Sequence, residues 1–213
     1  MARPRFDRLD PDKQEAILAA AADEFAEHGY RAASLNRIIE RARTSKGSFY
    51  YYFDDKADLL RTVLERAVLR ALAEYRLPSL EAFTAADFWD RVRDYALSAL
   101  PLMELDTWWM RIVRAFYKLR EEPAALEATM GVLEQSKGLV AEMIRRGREL
   151  GVVRTDLPEE MLVEVYMAMD EAGDRWMLRR WSDLDQAARR QLVEGRMDLA
   201  RDLLDARHMG WEQ

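Results

Sequence analysis

Residues 45–53, Ser-Lys-Gly-Ser-Phe-Tyr-Tyr-Tyr-Phe, bring together two serine hydroxyls, one ammonium, a glycine and five aromatic rings. Nothing among them pairs a nucleophile with a base. Their chemistry is that of contact: hydroxyls that donate or accept, a cation that meets phosphate, and rings that touch apolar base edges. If the stretch is one helix, at about 100° per residue, Phe49 and Phe53 share a face while Gly47, Ser48 and Tyr51 point the opposite way. Tyr50 and Tyr52 then fall on the flanks. Three consecutive side chains cannot all be buried on one face of a helix or strand. An outward ring beside small residues suits a helix lying in a groove, whereas the alternative places the tyrosines in an ordinary hydrophobic core.

Other chemistries find little support. There is no cysteine, so thiolate nucleophiles, thiolate metal sites and disulfides are excluded. No Gly-rich phosphate loop or HExxH motif occurs, and the two histidines, His28 and His208, fall at expected helix ends. No enzyme activity, cofactor or metal is expected. The start MARPRFDRLD lacks the apolar core of a signal peptide, and Asp23 and Glu24 interrupt the run AILAAAADEF. The expectation is a cytoplasmic protein without a membrane partner.

The net charge of −6 looks unfavourable for nucleic acid until it is divided along the chain. Residues 1–56 hold ten Lys/Arg and ten Asp/Glu, so 10 − 10 = 0, and the remainder holds 23 − 29 = −6. Between 31 and 46, Arg31, Arg37, Arg41, Arg43 and Lys46 stand against Glu40 alone, a local 5 − 1 = +4. Docking on phosphates responds to charge within a Debye length of about 8 Å, so the acidic average does not veto a basic patch. A solvated helix face is the other reading of those cations.

The elements that must position this stretch are helical. Asp10-Pro11 provides a side-chain cap and a proline at the first helical position. Ile17, Leu18, Ala21, Ala22 and Phe25 follow at helical spacing, and Gly29 supplies a stop. Ser34 caps a short second helix carrying Leu35, Ile38, Ile39 and Ala42, and Ser45 caps a third that runs through Phe53. Asp54-Asp55 begins a fourth. Longer helices are expected near 84–103, 105–121, 124–150, 158–181 and 185–207, and nothing alternates with period two, so no sheet is expected.

In this order and spacing the first three helices match a helix-turn-helix unit. Residues 10–64 resemble the DNA-binding domain of the TetR family of bacterial transcriptional regulators. The family's apolar first helix and its Ser-x-Gly-x-x-Tyr run are met by Phe25, Gly29 and Tyr30, then by Ser45, Gly47, Tyr50, Tyr52, Phe53, Lys56 and Leu59. The resemblance implies an all-α fold: an N-terminal three-helix DNA-binding domain, and a larger C-terminal helical domain for ligand binding and dimerisation. The division drawn is 1–56, with a linking helix to about 76, and 57–213. It further implies that Ser34, Asn36, Arg37, Lys46, Gly47, Ser48, Tyr50, Tyr51, Tyr52 and Lys56 contact double-stranded DNA, with the amide end capped by Ser45 as a phosphate site. Three positions depart from the pattern: Arg43 stands where glycine is usual, Thr44 where an apolar residue is usual, and Ile39 where a small one is usual. The arm MARPRF could lay Arg3 and Arg5 along a minor groove, or be a solvated tail.

The same resemblance implies a homodimer through the last two helices and a small-molecule effector. The residues lend weaker support. Two long amphipathic helices at the end of the chain suit a four-helix seam, or simply close their own core. Large flat and flexible side chains in the middle helices, Trp89, Tyr95, Met103, Trp108, Trp109, Phe116, Tyr117 and Met130, with Tyr166 and Asp170 further on, suit an apolar or aromatic effector, or ordinary core packing. The expected function is a ligand-responsive repressor on a palindromic operator. The rival is a small-molecule carrier or interaction protein that keeps the fold without operator binding.

Overall fold

The computed structural model describes residues 5–75 and 79–206; Arg3, Pro78, His208 and the expected helix end at 207 lie outside the described residues. Helices follow one another as α1 (Pro11–Ala32), α2 (Leu35–Arg41), α3 (Lys46–Tyr52), α4 (Lys56–Tyr75), α5 (Phe88–Met103), α6 (Trp108–Arg120), α7 (Leu126–Glu149), α8 (Glu159–Arg179) and α9 (Gln186–Leu204). One-turn 3-10 segments occupy Leu80–Ala82, Pro123–Ala125 and Trp181–Asp183. Apart from an isolated antiparallel bridge between Val153 and Asp205, no β pairing occurs among the described residues.

Local chemistry accounts for most boundaries. The Asp10 carboxylate accepts from the amides of Asp12 (3.2 Å) and Lys13 (3.3 Å), with Pro11 at the first helical position. Gly29 leaves helical geometry at φ +72° and ψ 178°, a conformation open to glycine, so regular α1 ends there and one further turn follows. The start of α5 falls at Phe88 rather than 84 because Thr84 and Asp87 close a turn of their own. The Asp87 carboxylate accepts from the Thr84 amide (2.8 Å) and hydroxyl (2.9 Å), and then from Arg91 Nε (2.7 Å). The Thr84 amide and Arg91 together hold Asp87 down to about 2.

The described residues pack as two compact units, one within residues 1–74 and 103–133, the other within residues 75–102 and 134–213. In the first, α1 lies along α6 and against α2. Ile17, Phe25, Ile38, Phe49, Phe53 and Ile112 are among its buried side chains. Polar braces tie α1 to α6: Trp108 Nε1 donates to Glu15 (2.6 Å) and Arg111 Nε to Asp23 (2.7 Å). In the second unit, Phe83, Phe88, Val92, Ile144, Leu162 and Leu204 belong to one core. Arg146 closes over the turn at 80–83, donating to the carbonyls of Leu80, Glu81 and Phe83 at 3.0–3.2 Å. This grouping describes packing and places α6 with the amino-terminal helices.

Candidate nucleic-acid interface

α3 is held from behind by two phenylalanines and presents its small residues outward. Phe49 and Phe53 are fully buried, with ring centres 5.2 Å apart. Ser45 accepts from the Ser48 amide (3.1 Å), and its hydroxyl lies 2.8 Å from that of Ser48. Lys46, Gly47 and Ser48 are exposed, as are Tyr50 at 42% and Tyr51 at 49%. Tyr52 is half-buried, edge-on to Phe6 (6.1 Å) and Tyr51 (5.3 Å). A Cβ added at Gly47 would meet nothing within 4 Å among the described residues, so packing among them does not demand glycine there. What its missing side chain provides is clearance on the outer surface.

α2 is fastened to α1 by a buried acid. Glu24 is fully buried, and its Oε1 accepts from the Ser34 amide (2.8 Å) and from Arg37 Nε (2.8 Å), with a second Arg37 nitrogen on the same oxygen. Arg37 also donates to the Ala32 carbonyl (3.0 Å). Arg41 and His28 each stand 3.8 Å from Oε2. Burial alone would raise the Glu24 pKa; the hydrogen bonds from Arg37 and the Ser34 amide, helped by the charge of Arg37, outweigh it and hold the group below the usual carboxylate range. Between α2 and α3, Arg43 takes the left-handed backbone at φ +50°, so the turn forms with arginine where glycine is usual.

The predicted contact residues therefore divide. Asn36, Ser45, Lys46, Gly47, Ser48, Tyr50 and Tyr51 lie exposed on α2 and α3 or at the cap. Ser34, Arg37, Tyr52 and Lys56 are engaged within the chain. The Ser34 hydroxyl accepts from the Arg37 amide (3.4 Å). Lys56, expected to reach phosphate, donates its Nζ to the carbonyls of Arg31 (3.1 Å) and Ala33 (3.0 Å) and sits 4.9 Å over the Tyr30 ring. Carbonyls left open at the end of a helix attract a cation, and this ammonium answers them. The local +4 between 31 and 46 is likewise reduced in space, because Glu24 from α1 pairs with Arg37.

The start of the described chain joins the same surface. Phe6 is fully buried with its ring centre 5.0 Å from that of Phe53, and Arg5 Cζ lies 4.5 Å from the centre of the Tyr51 ring. Arg5 is thus stacked on the outward ring of α3 rather than trailing in an arm.

The effector candidates fall into both packing units. In the first, Trp108, Trp109 and Phe116 are buried, Tyr117 lies edge-on to Phe116 (5.4 Å), Met103 is half-buried and Met130 is 54% exposed. In the second are Trp89, Tyr95, Tyr166 and Asp170. The buried Trp89 indole nitrogen has no hydrogen-bond partner among the described residues. Burial raises the pKa of both Tyr95 and Tyr166. Asp170 is neither a lone surface acid nor an open one. Arg196 on α9 bonds it and also bonds Asp174 (2.6 Å) one turn further along α8. Burial first, then the charge of Asp174, push the Asp170 carboxyl up to about 6, against the pull of Arg196. Arg196 itself is moved further into its charged form: the two carboxylates outweigh its burial. A Cβ at Gly173 would stand 2.7 Å from Arg196 Nε, so glycine lets the guanidinium lie across α8.

Two short capped helices joined by a tight left-handed turn, braced by a longer first helix and exposing hydroxyls, rings and an ammonium, define a helix-turn-helix DNA-binding protein. Residues 17–63 match the family described as "Bacterial regulatory proteins, tetR family". An HTH-type transcriptional repressor of Streptomyces coelicolor, SCO4008, is 28% identical over 161 residues, 75% of this chain and 78% of that protein. A TetR-family transcription regulator from Shewanella sp. PV-4 has the same fold, with a TM-score of 0.67 at 18% identity over 92% of this chain and 99% of that one. The fatty acid degradation regulator FadR from Bacillus halodurans gives 0.69 at 19% identity over 87% and 96%. Residues 17–63 thus carry a DNA-binding domain of the tetR type, and over most of its length the chain is similar to TetR-family transcription regulators. No helix among the described residues is long and apolar enough to cross a membrane.

Proposed function

We propose that this protein is a ligand-responsive repressor, acting in the cytoplasm, that binds a near-palindromic operator as a homodimer. The observation that carries the reading is the outward face of α3, where Gly47, Ser48 and Tyr51 are exposed above fully buried Phe49 and Phe53. In this reading residues 1–56 read DNA. Asn36, Lys46, Ser48, Tyr50 and Tyr51 make the contacts, Gly47 gives clearance, and Ser45 holds the start of α3. Ser34, Arg37, Tyr52 and Lys56 support them.

Dimerisation through the last two helices draws support from an apolar stripe that nothing covers among the described residues. On α8, Met161, Val165, Ala168, Ala172 and Trp176 are exposed at helical spacing, and on α9 Gly195 and Leu199 continue it. Two such helices from each copy would make a four-helix seam, and a two-fold dimer reads half-sites about one helical turn, or a multiple, apart. Repression follows the Streptomyces relative, which is named a repressor. For the effector, an apolar or aromatic molecule fits the rings of Trp89, Tyr95 and Tyr166, with the unpaired Trp89 N–H available to an acceptor on the ligand. Such a ligand must bind the DNA-free state more tightly, each 1.4 kcal/mol of difference changing operator affinity about tenfold.

Selecting bound sites from random duplexes tests the reading. A recovered two-fold motif, bound in the presence of competitor DNA, is the expected result. Tyr51→Ala and Ser48→Ala should each weaken that complex, by about 1–3 kcal/mol where a base contact is lost, with the helical spectrum unchanged. Uniform weak binding that vanishes with salt would instead favour a carrier or interaction protein that keeps the fold.

A further inference from the structure

Residues 29–33, the last turn of α1 and its cap before α2, are held from two sides by charges distant in sequence. Glu122, at the joint between α6 and α7, places one carboxylate oxygen 2.7 Å from the Tyr30 amide and the other 2.7 Å from the Arg31 amide. Both lengths are those of charge-assisted bonds. The backbone admits this approach only because residue 29 is glycine. It sits at φ +72°, and a Cβ there would stand 2.5 Å from Glu122 Oε1. From the other side Lys56 takes the carbonyls of Arg31 and Ala33. The next residue, Ser34, caps α2 and gives its amide to Glu24. The amides of the junction are thus held by anions and its carbonyls by a cation, immediately before the two helices that carry the contact surface. All these groups belong to one packing unit.

We propose that Glu122 is a positioning residue for operator binding: from outside residues 1–56 it sets the junction between α1 and α2, and with it the aim of α2 and α3. This rests on the DNA-reading function proposed above. The physical distinction lies in tolerance. Hydrogen bonds to base edges weaken steeply with misalignment. Phosphate contacts from flexible side chains follow the duplex and carry no sequence information. A loosened junction should therefore cost specific binding far more than non-specific binding, whereas a contact that merely stabilised the fold would leave their ratio unchanged while the protein is folded.

The test uses the full chain with Glu122→Ala, Glu122→Gln and, as a charge control, the exposed neighbour Glu121→Ala. Gln keeps one acceptor oxygen but turns an NH2 toward an amide that needs an acceptor. Each variant is measured against a duplex selected by the wild type and a scrambled duplex of equal length, at a temperature where circular dichroism shows it folded. Glu122→Ala should lose about ten- to a hundred-fold in specific affinity, the size of one good bidentate base contact, with little change on the scrambled duplex. Gln should fall between, Glu121→Ala should match wild type, and amide exchange at Tyr30 and Arg31 should quicken in the Ala variant. Equal losses on both duplexes, or full specific affinity in Glu122→Ala, would overturn the assignment and leave the DNA-reading function standing. Should the Ala variant not fold, the Gln variant decides by the same ratio. A wild type that selects no site would remove the DNA-reading function and this role together.

Discussion

Replacing Asp170 by asparagine should stabilise the protein above about pH 6 and make little difference near pH 4. Asp170 shares Arg196 with Asp174 in a partly buried cluster, and its pKa rises from 3.8 to about 6. The sign follows from that direction. The folded state holds a proton that the unfolded chain has released, so stability falls as pH climbs from about 4 to about 6 and is level above. A rise of roughly two pH units is worth about 3 kcal/mol at 1.36 kcal/mol each. The side chain keeps 31% of its exposure, so water screens part of this and about 1–2 kcal/mol is the working figure. Asparagine mimics the neutral acid and can still accept from Arg196.

Urea unfolding of wild type and Asp170→Asn across this range gives the difference directly, and contributions from other titrating groups cancel in it. The expected curve is near zero at about pH 4, climbs through the window and flattens above about pH 6 in favour of asparagine. Arg196→Met should do the opposite. It leaves two carboxylates without their shared cation, costing about 3–5 kcal/mol at neutral pH and less in acid, where the pair can hold a proton. A difference curve that stays flat, or an asparagine variant less stable than wild type at neutral pH, would show that the ionised acid carries no net burial cost.

Two other predictions address the outer surface and the core. Arg5→Ala should reduce the slope of log affinity for DNA against log salt by about 1 if the guanidinium on Tyr51 meets a phosphate, and Arg5→Lys should keep the slope; an unchanged slope in the Ala variant would remove Arg5 from the interface. Gly147→Ala should destabilise by about 1–3 kcal/mol through overpacking, because its Cβ would fall 2.3 Å from Val153 Cγ2 and 2.9 Å from Phe88 Cζ, both on buried side chains. In the same helix Gly138→Ala, with nothing within 4 Å of the new Cβ, should stabilise by about 0.5–1 kcal/mol. Denaturation midpoints moving in the same direction for both would contradict the packing argument.

What could be read along the chain was what is decided locally. The caps at Asp10, Ser34 and Ser45 act within three residues, and Phe49 and Phe53 share a face by helical spacing alone. The contacts missed in the sequence join distant residues: Lys56 to the end of α1, Arg196 to Asp170 and Asp174, and Glu122 to the Tyr30 and Arg31 amides. No spacing rule reaches across such separations. One signal was available. Glu24 sits on the apolar stripe of α1, seven residues after Ile17 and three after Ala21, and an acid on that face requires a cation. Reading it so would have withdrawn Arg37 from the open basic patch and pointed to the brace that holds α2.

This division of cations bears on how the surface would read sequence. Of the five basic residues between 31 and 46, Arg37 is bonded to Glu24 and Arg41 lies near it, while Arg31, Arg43 and Lys46 make no ion pair among the described residues. Charge spent inside the protein cannot release counterions from DNA, so the non-specific part of binding by each head should be modest. In the proposed reading, specific affinity would then rest on aligned short-range contacts by Ser48, Tyr50, Tyr51 and Asn36, and on linking two heads in one dimer. Contacts of that kind depend on alignment more than on charge. That dependence gives physical sense to the arginine, lysine and glutamates invested in fixing the junction and the second helix.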